Sequence, residues 1–308
     1  MTARDEGRTW VAALVGPTAV GKTTVAVTVA RALDAEIISI DSMQIYRGMD
    51  VGTAKPDRAL VEEVPHHMLD LRSPEHVVTV AEFQTLARSA IEDVAGRGRL
   101  PLLVGGSGLY FRAVVDDLSF PPQSPDVRKA LELEANEVGA EALHARLAEV
   151  DSDAASKIEL GNVRRTVRAL EVISITGRPF SENAAAWESY ESVYELAVAG
   201  LRRPRAELYS LIAERVDDML ARGLVEEVEA LRDSLGPTAR QALGYKQVLQ
   251  LPSARRDEVR AEIVRATKRF ARRQDSWFAA DPRVMWFDAA APEVGTALIS
   301  FYRERLGL

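Results

Sequence analysis

GPTAVGKTT, residues Gly16–Thr24, carries glycines at 16 and 21 and a Lys-Thr pair directly after the second, the spacing of a nucleotide-binding phosphate loop. Its flanks supply the context that the motif requires. WVAALV, Trp10–Val15, is a short apolar run ended by glycine, and TTVAVTVARAL, Thr23–Leu33, is apolar at helical spacing, so the segment predicts strand, loop, helix. In such a loop the backbone of Gly16, Pro17, Thr18, Ala19, Val20 and Gly21 wraps round a phosphate, and every one of these residues except Pro17 offers it an N–H. Lys22 adds a full positive charge, and the Thr23 hydroxyl, next to Thr24, is the candidate Mg²⁺ ligand.

Working outward, AEIISI ends at Asp41 and LPLLV ends at Gly105–Gly106. Three buried strands separated by helical stretches predict an α/β fold of the P-loop type, a parallel sheet flanked by helices, with ligands at the carboxyl ends of the strands. After residue 120 the character changes to a Pro-rich break and ALELEANEVGAEALHARLAEV, which predicts an all-helical insertion over 121–194 within a core of 1–120 and 195–308. YELAVAGL then returns the chain to the sheet, a helical stretch follows to Phe278, and RVMWFD reads as a last edge strand.

Composition narrows the function. Lys+Arg 39 against Asp+Glu 46 gives a formal net charge of −7, so any nucleic acid must be held by a local basic face. There is no cysteine, hence neither a disulfide nor a thiolate metal site. The opening MTARDEGRTW lacks an apolar signal core and no run of eighteen apolar residues follows, which predicts a cytoplasmic protein without a membrane partner. His66 and His67 have no acidic or cysteine partner at ligand spacing and read as structural.

The phosphate loop alone leaves the reaction open among kinases, ATPases and other users of phosphate. A hydrolase needs an acidic residue after a second strand to organise Mg²⁺ and water, yet LPLLV runs into Gly-Gly-Ser-Gly. Asp41 is the strand-end carboxylate that remains, a Mg²⁺ partner or general base on one reading and a cap of the next helix on the other. Positive charge gathers in VRATKRFARRQDSWF, where Arg265, Lys268, Arg269, Arg272 and Arg273 form one stripe opposite Ile263, Ala266, Phe270 and Trp277. A second cluster is Arg164, Arg165 and Arg168, with Val163, Val167 and Leu170 turned inward.

Taken together, GPTAVGKT, DSMQIYRGMDVGTAKP, HHMLD, LLVGGSGLYFRAVVDDL, RRTVRALEVISITGRPFSE, RQALGYKQ and TKRFARRQDSWF resemble the tRNA dimethylallyltransferases over nearly the whole chain. The resemblance implies transfer of a dimethylallyl group from dimethylallyl diphosphate to N6 of the adenosine 3′-adjacent to the anticodon, with diphosphate as leaving group and Mg²⁺ as cofactor. It implies Asp41 as general base, with Lys22, Thr23, Ser107 and Arg215 in the catalytic set. It implies contacts with the tRNA anticodon stem-loop from Asp41, Ser42, Met43, Gln44 and Ser107. Arg128, Arg164, Arg165, Arg168, Arg240, Tyr245, Lys246, Lys268, Arg269, Arg272 and Arg273 complete that set. Gln44 is the residue whose amide suits the adenine edge. One position departs from the family: Leu211 stands where an arginine is common. No stretch reads as a coiled coil or symmetric interface, so a monomer is expected.

Overall fold

A computed structural model describes residues 8–183, 187, 189–251 and 255–308. The opening stretch 1–7, read above for a signal core, and positions 184–186 and 188 of the insertion lie outside the described residues.

Six parallel strands form one sheet: β1 (Trp10–Val15), β2 (Ala35–Ser39), β3 (His66–His67), β4 (Leu100–Gly105), β5 (Glu195–Arg202) and β6 (Val284–Asp288), in the order β3-β2-β4-β1-β5-β6. The four strands expected from apolar runs are present, as is the RVMWFD edge strand. The addition is β3, whose two residues are too short for any periodicity. It pairs Ile37 with His66 and Ile38 with His67.

Both faces are dry because alternate β1 side chains meet different helical layers. Val11, Ala13 and Val15 join a core with Phe83, Ala87, Ile91 and Phe111 from the helices Val80–Gly96 and Gly108–Val115. Ala12 and Leu14 face the opposite way, onto Val27 and Ala30 of α1 (Lys22–Leu33) and Leu298 and Tyr302 of the helix Val294–Leu306. The phosphate loop, Asp41 and Ser107 therefore leave the sheet at the same edge, beyond β1, β2 and β4.

The chain separates into two compact units, Met1–Asp116 with Ser192–Leu308, and Asp117–Glu191. The second unit is helical, with helices Pro125–Val150, Ser152–Lys157 and Val163–Thr176. The first breaks at Gly139, whose φ of 85° no helix interior tolerates. Leu131, Leu143, Leu147, Val167 and Leu170 form a core belonging to this unit alone. Within it Glu171 is fully buried and ionically bound to Arg128 (2.6 Å) and Arg168 (2.8 Å), which hold its carboxyl below the usual range against the cost of burial.

Among the described residues no helix is long and apolar enough to cross a membrane.

Candidate active site

The Gly16–Thr24 loop leads into α1 with Gly21 as N-cap, no side-chain cap and no acidic residue in the first turn, so the partial positive charge of the helix end is unopposed. Gly21, Thr23 and Thr24 face solvent there. Lys22 folds back, its Nζ donating to the carbonyls of Gly16 (2.9 Å) and Pro17 (2.8 Å). Withdrawal from water, then the positive charge of Arg215, pushes the Lys22 ammonium down to about 7, with Asp41 opposing. Arg215, on the helix Arg205–Ala221, is likewise pushed below its ordinary value by burial, with Asp41 and Asp218 opposing. Its guanidinium makes no hydrogen bond or ion pair among the described residues. Leu211, one turn earlier, is half-buried and adds no charge.

Asp41 follows β2 and accepts the Met43 N–H through Oδ1 (2.9 Å). That bond closes a turn, not a helix, since the next helix begins at Arg58. The cap reading therefore fails, and the second carboxylate oxygen has no hydrogen bond among the described residues. Ser42 and Met43 are half-buried beside it. Ser107 sits at the N-cap of the helix Gly108–Val115 without using its hydroxyl as a cap.

Gln44 and Tyr245, both expected to meet the tRNA, hold partners inside the protein. Gln44, expected to read an adenine edge, spends its amide inside the protein: Oε1 accepts from the Ser39 hydroxyl (2.7 Å), and Nε2 donates to the carbonyls of Thr53 (3.2 Å) and Ala54 (3.3 Å). Tyr245, expected at a nucleic-acid surface, is fully buried with its hydroxyl donated to Glu227 (2.5 Å). A buried aromatic with a satisfied polar tip is a core residue.

The helix Arg256–Ala279 carries the basic stripe. Arg265, Arg269, Arg272 and Arg273 are exposed and Lys268 half-buried, while Val259, Ile263, Ala266, Thr267, Ala271, Gln274 and Phe278 form the buried face. Phe270 and Trp277 do not belong to that face. Phe270 underlies the Arg273 guanidinium (5.6 Å), and Trp277, 43% exposed, packs over Gly108. Polar Gln274 takes the place expected for an apolar residue because it faces the phosphate loop, accepting the Thr18 N–H (2.9 Å). Its amide occupies the space a β-carbon at Gly106 would need, which explains a glycine there.

Some of the positive charge is already committed. Arg265 pairs with Glu262 (3.1 Å), Lys268 lies over the Tyr209 ring (5.0 Å), and Arg240 donates to the carbonyls of Leu235 (2.8 Å) and Arg232 (2.7 Å). Arg168 donates to Pro121 O (2.8 Å) and Pro122 O (3.1 Å) besides holding Glu171. Arg164, Arg165, Arg269 and Arg272 make no ion pair among the described residues and are exposed. Lys246, Arg269 and Arg273 line a groove of about 450 Å³ with Gln241, Leu243 and Gln247.

Sequence reasoning did not single out Gln274 or Arg203. Arg203, just beyond β5, donates to Val20 O (3.4 Å) and Ala289 O (2.8 Å) and so supports the loop from behind. An arginine directly after a strand was the signal for the latter. The paired histidines each meet a protein partner, His66 Nδ1 lying 2.6 Å from Val64 O and His67 Nε2 2.6 Å from Glu36 Oε2, a carboxylate too far along the chain to be found by local spacing. Among the described residues no group of three or more His, Cys, Asp or Glu could hold a metal.

Comparison with known proteins places this geometry. Residues 44–281 match the IPP transferase family. A tRNA dimethylallyltransferase of Streptomyces avermitilis is 51% identical over 289 residues, covering 92% of each chain. One of Thermobifida fusca is 50% identical over 296 residues, covering 92% of this chain and 91% of its own. The crystal structure of a full-length tRNA isopentenylpyrophosphate transferase from Bacillus halodurans superposes with a TM-score of 0.69 at 37% identity, covering 98% of this chain and 99% of the other. A eukaryotic dimethylallyltransferase solved acting on tRNA has a TM-score of 0.81 at 23% identity, covering 95% and 77%, and shows the shared fold.

Proposed function

The chain belongs to the IPP transferase family, and on that premise we propose that it transfers the dimethylallyl group of dimethylallyl diphosphate to N6 of an adenosine 3′-adjacent to the anticodon of tRNA. The observation that carries this reading is that Lys22, Asp41 and Arg215 come from three separate segments yet lie within electrostatic reach, with Arg215 disfavouring the charge on Lys22 and Asp41 favouring the charge on both. Two desolvated cations are a poor arrangement until a polyanion joins them.

In this reading the diphosphate lies on the Gly16–Thr24 backbone, and Lys22 exchanges the Gly16 and Pro17 carbonyls for phosphate oxygens. N6 attacks the allylic carbon, a C–N bond forms and the C–O bond breaks, and the bonding pair leaves with diphosphate. Asp41 takes the N6 proton through its unoccupied oxygen, while Lys22 and Arg215 stabilise the charge growing on the leaving group. The donor set suits Mg²⁺, which keeps most of its waters and binds through substrate phosphates: an exposed Thr23 hydroxyl and a nearby carboxylate, with no dense acidic cage among the described residues. When bound, Mg²⁺ supplies further neutralisation of diphosphate charge. Arg269, Arg272, Arg273 and Lys246 of the sheet-bearing unit contact the anticodon stem-loop, Arg164 and Arg165 are the contacts that the helical unit offers by itself, and the protein works as a monomer in the cytoplasm.

The direct test is incubation with Mg²⁺, unmodified tRNA and dimethylallyl diphosphate, read by nucleoside mass and released diphosphate. A dimethylallyl mass gain on adenosine matched by diphosphate supports the reading. No gain, with ATP consumed on small nucleosides or metabolites, overturns it in favour of a kinase.

Two further results are expected. Free Lys22 titrates at about 7, and a bound anion raises that value, so binding takes up a proton. The lysine contribution to diphosphate affinity is then present below pH 7 and declines roughly tenfold per pH unit above it. Calorimetric titration of wild type against Lys22→Met, in buffers of different ionisation enthalpy, isolates this term from the titration of diphosphate itself. Replacing Arg269 and Arg273 together should weaken tRNA binding and flatten its salt dependence by roughly 0.7–0.9 in log–log slope per lost phosphate contact. An unchanged slope removes the stripe from the interface.

A further inference from the structure

Glu227, on the helix Leu224–Leu231, stands outside every motif read from the sequence, yet its carboxylate joins two segments of the candidate site. Oε2 accepts the backbone N–H of Asp50 (2.9 Å) and Val51 (2.7 Å), and Oε1 accepts the N–H of Gly52 (3.0 Å) and the Tyr245 hydroxyl (2.5 Å). Three successive N–H groups turned on one carboxylate form an anion nest filled by the protein's own side chain. The surroundings fit closely around it. A β-carbon at Gly52 would collide with the Tyr245 ring and come within 2.9 Å of Leu224 Cδ1. Burial, reinforced by the adjoining carboxylate, holds the Tyr245 hydroxyl protonated well above the usual tyrosine range, so it stays a donor.

From this nest one path leads to the reacting group. Thr53 and Ala54, directly after the pinned triplet, present their carbonyls to Gln44 Nε2, and Gln44 Oε1 accepts from the Ser39 hydroxyl. Ser39 Oγ in turn accepts the Asp41 N–H (3.3 Å). The other path leads to the groove, because Tyr245 opens the helix Tyr245–Gln250 and its neighbour Lys246 lines the groove with Arg269 and Arg273.

The geometry points to Glu227 as a positioning residue that sets the Asp41 block against the nucleic-acid groove, through the backbone of 50–54 on one side and Tyr245 on the other. The inference rests on the transferase reading. It assigns Glu227 to the alignment of the acceptor nucleotide, not to the diphosphate, since none of its bonds reaches the Gly16–Thr24 loop.

The test is steady-state and single-turnover kinetics of Glu227→Gln and Tyr245→Phe beside wild type, with amide hydrogen exchange at 50–52. In Glu227→Gln the amide nitrogen cannot accept, so N–H groups of the nest lose their partner. The expected loss in kcat/KM for tRNA is roughly 10- to 100-fold, the scale of a misplacement near 1 Å. The KM for dimethylallyl diphosphate stays unchanged and exchange at 50–52 accelerates. Tyr245→Phe keeps the three backbone bonds and cuts only the link to the groove. It should raise the tRNA KM several-fold while kcat and the exchange at 50–52 hold, and it carries the test should Glu227→Gln fail to fold. Wild-type tRNA kinetics in Tyr245→Phe and in a folded Glu227→Gln would overturn the inference, as would equal losses for tRNA and donor. Absence of transfer by wild type would overturn the transferase reading and this inference with it.

Discussion

Asp41→Asn should leave tRNA bound with near wild-type affinity and lower dimethylallyl transfer by roughly 10²- to 10⁴-fold, the range of a removed general base. Asparagine isolates the chemistry because its side-chain oxygen can still accept the Met43 N–H that Asp41 Oδ1 accepts at 2.9 Å. The turn keeps its closing bond, so the shape of the block survives while the group able to take the N6 proton is gone. An amide also removes a negative charge that opposes the depression of both Lys22 and Arg215. Lys22 should then titrate lower still, a secondary signature visible as a displaced pH profile of donor binding. Single-turnover transfer at saturating tRNA, with binding measured by anisotropy, checks both halves. Transfer within a few-fold of wild type would eliminate Asp41 as the base.

Lys22→Met should reduce transfer by roughly 10²- to 10³-fold, the scale found when one preorganised donor is taken from a developing anion. Stability should change little. In the free protein the ammonium serves only the carbonyls of Gly16 and Pro17, and the cost of its own desolvation offsets what those two bonds contribute. Methionine keeps the length and apolar stem without the charge. The loss should appear in the transfer step and in the affinity for diphosphate, with tRNA affinity unchanged. Lys22→Arg should not rescue it, since a planar fork cannot replace a point charge folded into a narrow loop. A Lys22→Met enzyme with unaltered donor affinity and rate would place the leaving group elsewhere.

Much of this architecture was legible in the chain itself, for local reasons. Apolar runs of five or six residues between glycine-bearing turns marked β1, β2 and β4, and helical spacing marked α1 and the insertion. The loop glycines, Lys22, Thr23 and Asp41 stood at strand ends, where parallel topology requires ligand chemistry to gather. Other expectations met surroundings that the sequence did not announce. Phe270 and Trp277, assigned to the apolar side of their helix by residue type, lie outside its buried face, while Gln44, assigned to an adenine edge by its amide, and Tyr245, assigned to the tRNA by resemblance, both hold partners inside the protein.

Those positions depend on partners that no window of sequence contains. Gln274 reaches Thr18 from 256 positions away, and Glu227 reaches Val51 from 176. Periodicity reports which face of an element is apolar, because that depends on neighbours three or four residues along the same helix. Whether a buried amide, hydroxyl or carboxylate is already satisfied depends on the groups that folding brings against it, and each such group must be paired once water is gone. The chain's own pattern therefore determined the strands of the central sheet, the loop and the candidates for chemistry at the strand ends. The tertiary structure decided which of them remain free to use it.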